Sequence, residues 1–117
     1  MVSVNGEPMK DEYVPGKVAL ELRVGHFLRI NSYLGMAILS MWAERRPQVM
    51  IGMAEASVRG AGPGDAEGSD GELLAKLREL IGEAREYHAA DDFPAAMARM
   101  RVAHDLVALY IIRLAGE

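Results

Sequence analysis

The sequence contains no cysteine among its 117 residues, and this absence excludes several classes of protein at once. Disulfide frameworks, thiolate zinc sites, iron–sulfur clusters and thiol nucleophiles all require a cysteine sulfur. Redox chemistry and cysteine-ligated metals are therefore not expected. Half of the residues are hydrophobic, so a chain of this length can bury one core, and the length is typical of a single domain.

The sequence also lacks an excess of positive charge. The chain has thirteen Lys and Arg residues and seventeen Asp and Glu residues, which gives a net charge of −4 and a pI near 5.4. Such a chain has no overall attraction for polyanions, so we do not expect a nucleic-acid partner. The N-terminal residues show no basic flank followed by an apolar run, which is the mark of an export signal, and a cytoplasmic location is the default expectation.

The longest uncharged segment, residues 30–43, is too short to cross a bilayer, which requires about 20 apolar residues. It predicts a buried helix instead, and no membrane partner. Apolar residues upstream and within it recur at alternating spacings of three and four, which predicts a helix over residues 17–45. The alternation of apolar residues over 18–24 also allows a strand. Pro47 ends or kinks the first helix, and residues 48–58 form a second, shorter one.

Residues 60–71, GAGPGDAEGSDG, predict a flexible connection because glycine-rich, acidic segments are costly to order. Ser69 and Glu72 have the spacing of a capping box and mark the start of a helix over about 70–90. Asp91 and Asp92 then offer capping oxygens, and Pro94 suits the first turn of a last helix running to about 115.

The predicted fold is thus an all-α, up-and-down bundle of about four helices in one domain, residues 1–117. It comprises an extended N-terminal arm (1–16), a long helix broken near Pro47 (17–59), a flexible linker (60–71) and a helical hairpin (72–115). The short connection between the last two helices makes them antiparallel neighbours.

Residues 84–103 resemble a tetratricopeptide helix pair. The resemblance rests on Tyr87 in the first helix, Asp91, Asp92 and Phe93 at the turn, and small or apolar residues in the second helix. It covers about twenty residues, and a tetratricopeptide array needs about three repeats, of which the sequence has one. The resemblance therefore implies a helical hairpin without a peptide-binding groove.

The spacing Arg99-x-x-x-x-His104 resembles the Arg-x(4–6)-His motif of the HEPN superfamily, helical domains that include metal-independent ribonucleases. By that resemblance His104 would act as acid and base, and Arg99 would stabilise the phosphorane charge. The family usually has a polar residue after the arginine, where this chain has Met100. The two side chains also diverge by about 140° around the helix, so both reach one site only across a cleft. The alternative places His104 at the core edge, bonded to a backbone carbonyl or to Asn31.

Metal ligation is a weaker possibility. His88, Asp91 and Asp92 lie together at a helix end, but the aspartates also suit helix caps, and no second histidine completes a coordination sphere. No Glu-x-x-His pair is present for a carboxylate-bridged di-metal site. We predict no metal and no cofactor.

The favoured function is a non-enzymatic assembly or interaction module that forms a homodimer. A different protein as partner is a second possibility. The apolar helix over 30–43 leaves surface to cover, and Asn31 on its stripe is a candidate for fixing register. The predicted contact residues are Asn31, Leu34, Ile38, Met41 and Trp42. A third possibility is a small-ligand-binding bundle with a methionine-lined pocket.

Overall fold

The computed structural model describes residues 15–59 and 68–116, with only the backbone of 15–18. All regular structure in these ranges is helical, in four helices: α1 (Pro15–Ala43), α2 (Pro47–Arg59), α3 (Gly68–Ala89) and α4 (Phe93–Ala115). The predicted all-α four-helix fold is confirmed, and the alternative strand over 18–24 is wrong. Of the predicted arm, residues 15 and 16 belong to α1, and residues 1–14 lie outside the described ranges.

The turn between α1 and α2 confirms the predicted break. The helix ends at Ala43, and α2 begins at Pro47, where the missing amide proton of proline costs no hydrogen bond. Glu44 and Arg46 within the turn have positive φ values of 53° and 52°. The chain therefore reverses through left-handed backbone without using glycine.

The turn between α3 and α4 uses one of the two predicted caps. Asp92 is the N-cap of α4, and its Oδ1 accepts a hydrogen bond from the amide of Ala95 at 3.2 Å. Asp91 instead occupies a left-handed position, with φ 61°. Pro94 lies in the first turn of α4, as predicted.

The start of α3 differs from the prediction. The helix begins at Gly68, so residues 68–71 are helical and not part of a linker, and residues 60–67 lie outside the described ranges. Ser69 lies within the first turn of the helix, and its Oγ is 2.9 Å from the hydroxyl oxygen of Tyr110. The capping-box interpretation overlooked this tertiary partner.

The four helices form a ring in which each helix packs against two neighbours: α1 with α2 and α4, and α3 with α2 and α4. The contacts between α1 and α4 show that the two helices are antiparallel, because residues near the start of one contact residues near the end of the other. Phe27 packs against Tyr110, and Trp42 packs against Phe93 near the other end. This antiparallel order confirms the up-and-down bundle.

The core fills the centre of the ring, and all four helices contribute to it. Several of its members are alanines, which allow close packing of helices; these are Ala37, Ala54, Ala84, Ala96 and Ala103. The largest fully buried side chains are Phe27, Ile30, Leu34, Met41, Ile51, Leu77, Ile81, Met100 and Leu114.

Candidate functional site

Large apolar side chains are exposed on some helices of the ring and not on others. Among the described residues ten are exposed, of which five belong to α1, three to α4 and two to α2. None belongs to α3, whose outer side is polar. In order along the chain they are Leu22, Leu28, Met36, Leu39, Trp42, Val49, Met53, Val102, Leu109 and Ile112.

The neighbouring helices α1 and α4 thus carry most of the exposed apolar surface. We define the α1/α4 face by Leu28, Leu39 and Trp42 of α1 and Ile112 of α4, whereas Leu109 of α4 lines a groove with Leu73 of α3. Leu39, Trp42 and Ile112 are 68%, 63% and 69% exposed. The Trp42 ring is held edge-to-face against Phe93, with centroids 5.5 Å apart. This face is an apolar surface built on rigid helices.

The predicted contact residues do not all reach the surface. Leu34 and Met41 are 0% and 1% exposed and belong to the core of the protomer, so neither is available to a second copy. Ile38 is partly buried and packs against the same core. Of the predicted apolar contacts, only Trp42 is fully on the outside. Leu39, one residue along from Ile38, takes the outward position.

Asn31 has a partner inside the protomer. Its Nδ2 donates a hydrogen bond to the backbone carbonyl oxygen of His104 at 3.2 Å, across the α1–α4 contact. A buried or half-buried amide that finds such a partner fixes the register of the two helices that it joins. The amide predicted to set the register of an assembly therefore ties α1 to α4.

Arg99 and His104 point to different neighbours. Arg99 contacts α3: its Nε donates to Oε1 of Glu83 at 3.1 Å, and its guanidinium lies 5.0 Å from the Tyr87 ring centroid. His104 faces α1, where its ring would be 3.8 Å from a Cβ placed on Gly35. The structure does not bring the two side chains to a common cleft.

A polar cluster that the sequence did not indicate lies at the opposite end of the bundle from the two turns. Asp70 of α3 is buried and accepts two hydrogen bonds from Arg23 of α1, from Nε at 2.8 Å and from Nη2 at 2.9 Å. The hydroxyl of Tyr110 of α4 donates to the same carboxylate, and Ser69 lies against that hydroxyl. The cluster thus joins three helices.

The electrostatics of this cluster stabilise its ionised form. Burial opposes the charge on Asp70, but the hydrogen bonds from Arg23 and Tyr110 prevail and hold its pKa below the usual 3.8. The hydrogen bond to Asp70 likewise raises the pKa of Arg23. His26 nearby is buried, its Nε2 has no hydrogen-bond partner in the described part of the chain, and burial lowers its pKa below 6.5.

A half-open cavity of about 340 Å³ lies between the two turns at the other end of the bundle. The residues that line it are Met41, Glu44, Pro47, His88, Asp91 and Phe93. His88 and Asp91, two of the three metal candidates, thus line one cavity, whereas Asp92 caps α4. Within residues 15–59 and 68–116 no group of three His, Cys, Asp or Glu side chains is placed to hold a metal ion.

Sequence reasoning missed two features, which are the outward orientation of Leu39 and the pairing of Arg23 with Asp70. The segment 30–43 is apolar on every side, so its periodicity does not distinguish Leu39 from Ile38. The spacing Leu28, Ser32, Gly35, Leu39, Trp42 was the available signal, because steps of four and three residues keep to one side of a helix. Arg23 and Asp70 are 47 residues apart, and no local pattern joins them.

No protein-family model, curated protein or solved structure matches the chain. None of the helices in the described ranges is both long enough and apolar enough to cross a membrane.

Proposed function

We propose that this chain is a non-catalytic assembly module that forms a homodimer through the α1/α4 face. The observation that carries the proposal is the alignment of exposed large apolar side chains along α1, where Leu28, Leu39 and Trp42 lie on one side of the helix, while α3 exposes none. Scattered apolar residues are ordinary on a protein surface, whereas contiguous apolar surface on adjacent elements is typical of an interaction site.

The physical reason is the cost of leaving this face in water. Burial of apolar surface yields about 25 cal/mol per Å², and leucine, isoleucine and tryptophan side chains offer the largest areas. These side chains project from regular helices, so no backbone segment has to be ordered when they are covered. A tryptophan already held against Phe93 is the kind of rigid aromatic anchor that concentrates binding energy.

The change Leu39→Glu tests the proposal. The side chain is exposed in the protomer, so the variant should fold normally, with unchanged helical circular dichroism. We expect its dimer dissociation constant to rise about 100-fold, because an unpaired carboxylate in an apolar contact costs several kcal/mol. Sedimentation velocity or light scattering over a range of concentrations measures the effect.

Val49→Glu is the matched control, since Val49 is 51% exposed and belongs to α2, which contributes no residue to the α1/α4 face. It should leave the dimer intact. A wild-type protein that stays monomeric at ~100 μM, well above the micromolar constants of weak complexes, would contradict the proposal. Ile38→Asp is a poorer test, because Ile38 packs against the core and its loss would also destabilise the protomer.

A further inference from the structure

One outward stripe of α1 has two small residues at its middle with a leucine on each side of them. Steps of four and three lead from Glu21 through Gly25, Leu28, Ser32, Gly35, Leu39 and Trp42 to Arg46 just beyond the helix end. A stripe with these steps stays on one side of a helix and is the arrangement that pairs two helices along their length. Read from either end, the succession of steps is the same.

We infer that the partner is a second copy of this chain, and that its α1 packs antiparallel on this stripe with the two-fold axis between Ser32 and Gly35. This inference rests on the proposed homodimer and specifies its geometry. In this register each residue of the stripe faces the residue at the mirror-image position of the partner's stripe. Leu28 faces Leu39 of the other copy, Ser32 faces its Gly35, and Gly25 faces its Trp42.

The sizes of the facing residues are complementary. The small residues Ser32 and Gly35 meet at the crossing point, where helix axes come closest, and the His104 ring of α4 borders this point, 3.8 Å from where a Cβ of Gly35 would lie. Trp42 is the largest exposed side chain of the stripe, and it meets Gly25, where an added Cβ would touch nothing within 4 Å. The tryptophan of each copy thus has an open position in which to lie, and the two leucines pack in between.

The charges at the ends of the stripe are complementary as well. Glu21 near the start of α1 is exposed, and so are Arg45 and Arg46 beyond its end. Within the described residues none of the three has an oppositely charged side chain within 4.0 Å. Antiparallel pairing brings Glu21 of each copy to Arg46 of the other, beside a turn in which Arg45 and Arg46 outnumber Glu44, whereas parallel pairing would bring like charges together.

Cross-linking tests the register directly. The chain has no cysteine, so each of the variants Leu28→Cys and Leu39→Cys carries a single thiol. In the antiparallel register position 28 lies beside position 39 of the partner, but roughly 16 Å along the axis from the partner's position 28. A disulfide needs Cα atoms within about 7 Å, so we expect mild oxidation to link an equimolar mixture of the two variants and neither variant alone.

Substitutions that exchange a small for a large side chain at positions 25 and 42 test the same register, through their effect on the dimer dissociation constant. Gly25→Leu alone should fill the open position, and Trp42→Ala alone should remove the side chain that occupies it, each raising the dimer dissociation constant by about tenfold. The double variant places leucine opposite alanine and should recover most of the loss. Recovery beyond additivity is expected only if the two positions touch.

The outcomes separate the register from the assembly itself. Cross-links within each single variant would show a parallel pair, and a stable wild-type dimer with neither the mixed cross-link nor the size rescue would show another contact surface. Either result overturns the inferred register and leaves a homodimer. A monomeric wild-type chain overturns both.

Discussion

At the scale of single residues, the contact with the largest consequence for folding is the one around Asp70. Its carboxylate is buried and ionised, and it is compensated by Arg23 and by the hydroxyl of Tyr110. Such a charge stabilises a fold only while all its partners are in place. Asp70 belongs to α3, Arg23 to α1 and Tyr110 to α4, so the contact links helices on opposite sides of the ring.

Asp70→Asn should therefore destabilise the protein by about 3 kcal/mol, because the half-buried Arg23 guanidinium loses its counter-charge. Urea denaturation followed by circular dichroism measures the change. Glu79→Gln is the control, because the Lys76–Glu79 pair is exposed and long, at 3.5 Å, and should change stability by less than about 0.5 kcal/mol. Equal effects of the two changes would contradict a structural role for the buried pair.

His26 makes the stability depend on pH. Burial, reinforced by the charge of Arg29, lowers its folded-state pKa below 6.5, while Asp70 opposes the shift. The unfolded chain therefore takes up the proton first, and stability falls as the pH falls below 6.5. Asp70, whose pKa is lowered below 3.8, has the same sign at lower pH: its contribution is present above 3.8 and is lost as the pH falls through its folded-state pKa.

Replacing His26 with leucine should remove the loss of stability between pH 7 and pH 5, and should raise stability at pH 7 by about 1 kcal/mol by eliminating an unpaired buried nitrogen. Thermal unfolding at a series of pH values measures both effects. His88→Leu is the matched control, because it makes the same replacement at a histidine that is not fully buried. A variant at position 26 that kept the wild-type slope would assign the pH dependence to another group.

At the scale of helices, backbone conformation distinguishes two glycines of α3. Gly82 is in the helix interior, where an added Cβ meets nothing within 4 Å, so Gly82→Ala should stabilise the protein by about 0.5–1 kcal/mol. Gly68, the first residue of the helix, has φ 68°, and Gly68→Ala should destabilise it because a side chain is strained there. Denaturant midpoints of the two variants should move in opposite directions. A shift of the same sign in both would contradict the described start of α3.

Most helix ends were predictable because local chemistry determines them. Pro47 cannot continue α1, and Asp92 supplies the oxygen that caps α4. The start of α3 was not predictable in this way, because Ser69 and Asp70 are satisfied by side chains of α4 and α1 that are distant in the sequence. The start of this helix depends on the assembled bundle as much as on the local sequence.

In the candidate site, too, the local sequence predicted some features and tertiary packing determined the others. The sequence predicted that α1 has apolar surface to cover and named Trp42 among the contact residues, and Trp42 is exposed. It assigned Leu34, Ile38 and Met41 to the contact, because a helix that is apolar all round gives no sign of which side meets the core. That choice is made by α2 and α4, whose packing buries Leu34 and Met41 and leaves Leu39 outside.

At the scale of the whole molecule, the polar outer side of α3 determines how far assembly can proceed. This helix lies diagonally across the ring from α1 and has no exposed large apolar side chain. A second copy that covers α1 through a two-fold contact leaves each α3 facing water on the far side of the pair. Growth by further addition would need a second adhesive surface on that side. The proposed homodimer should therefore be a closed particle of fixed size, and raising the protein concentration should increase the number of such particles and not their length.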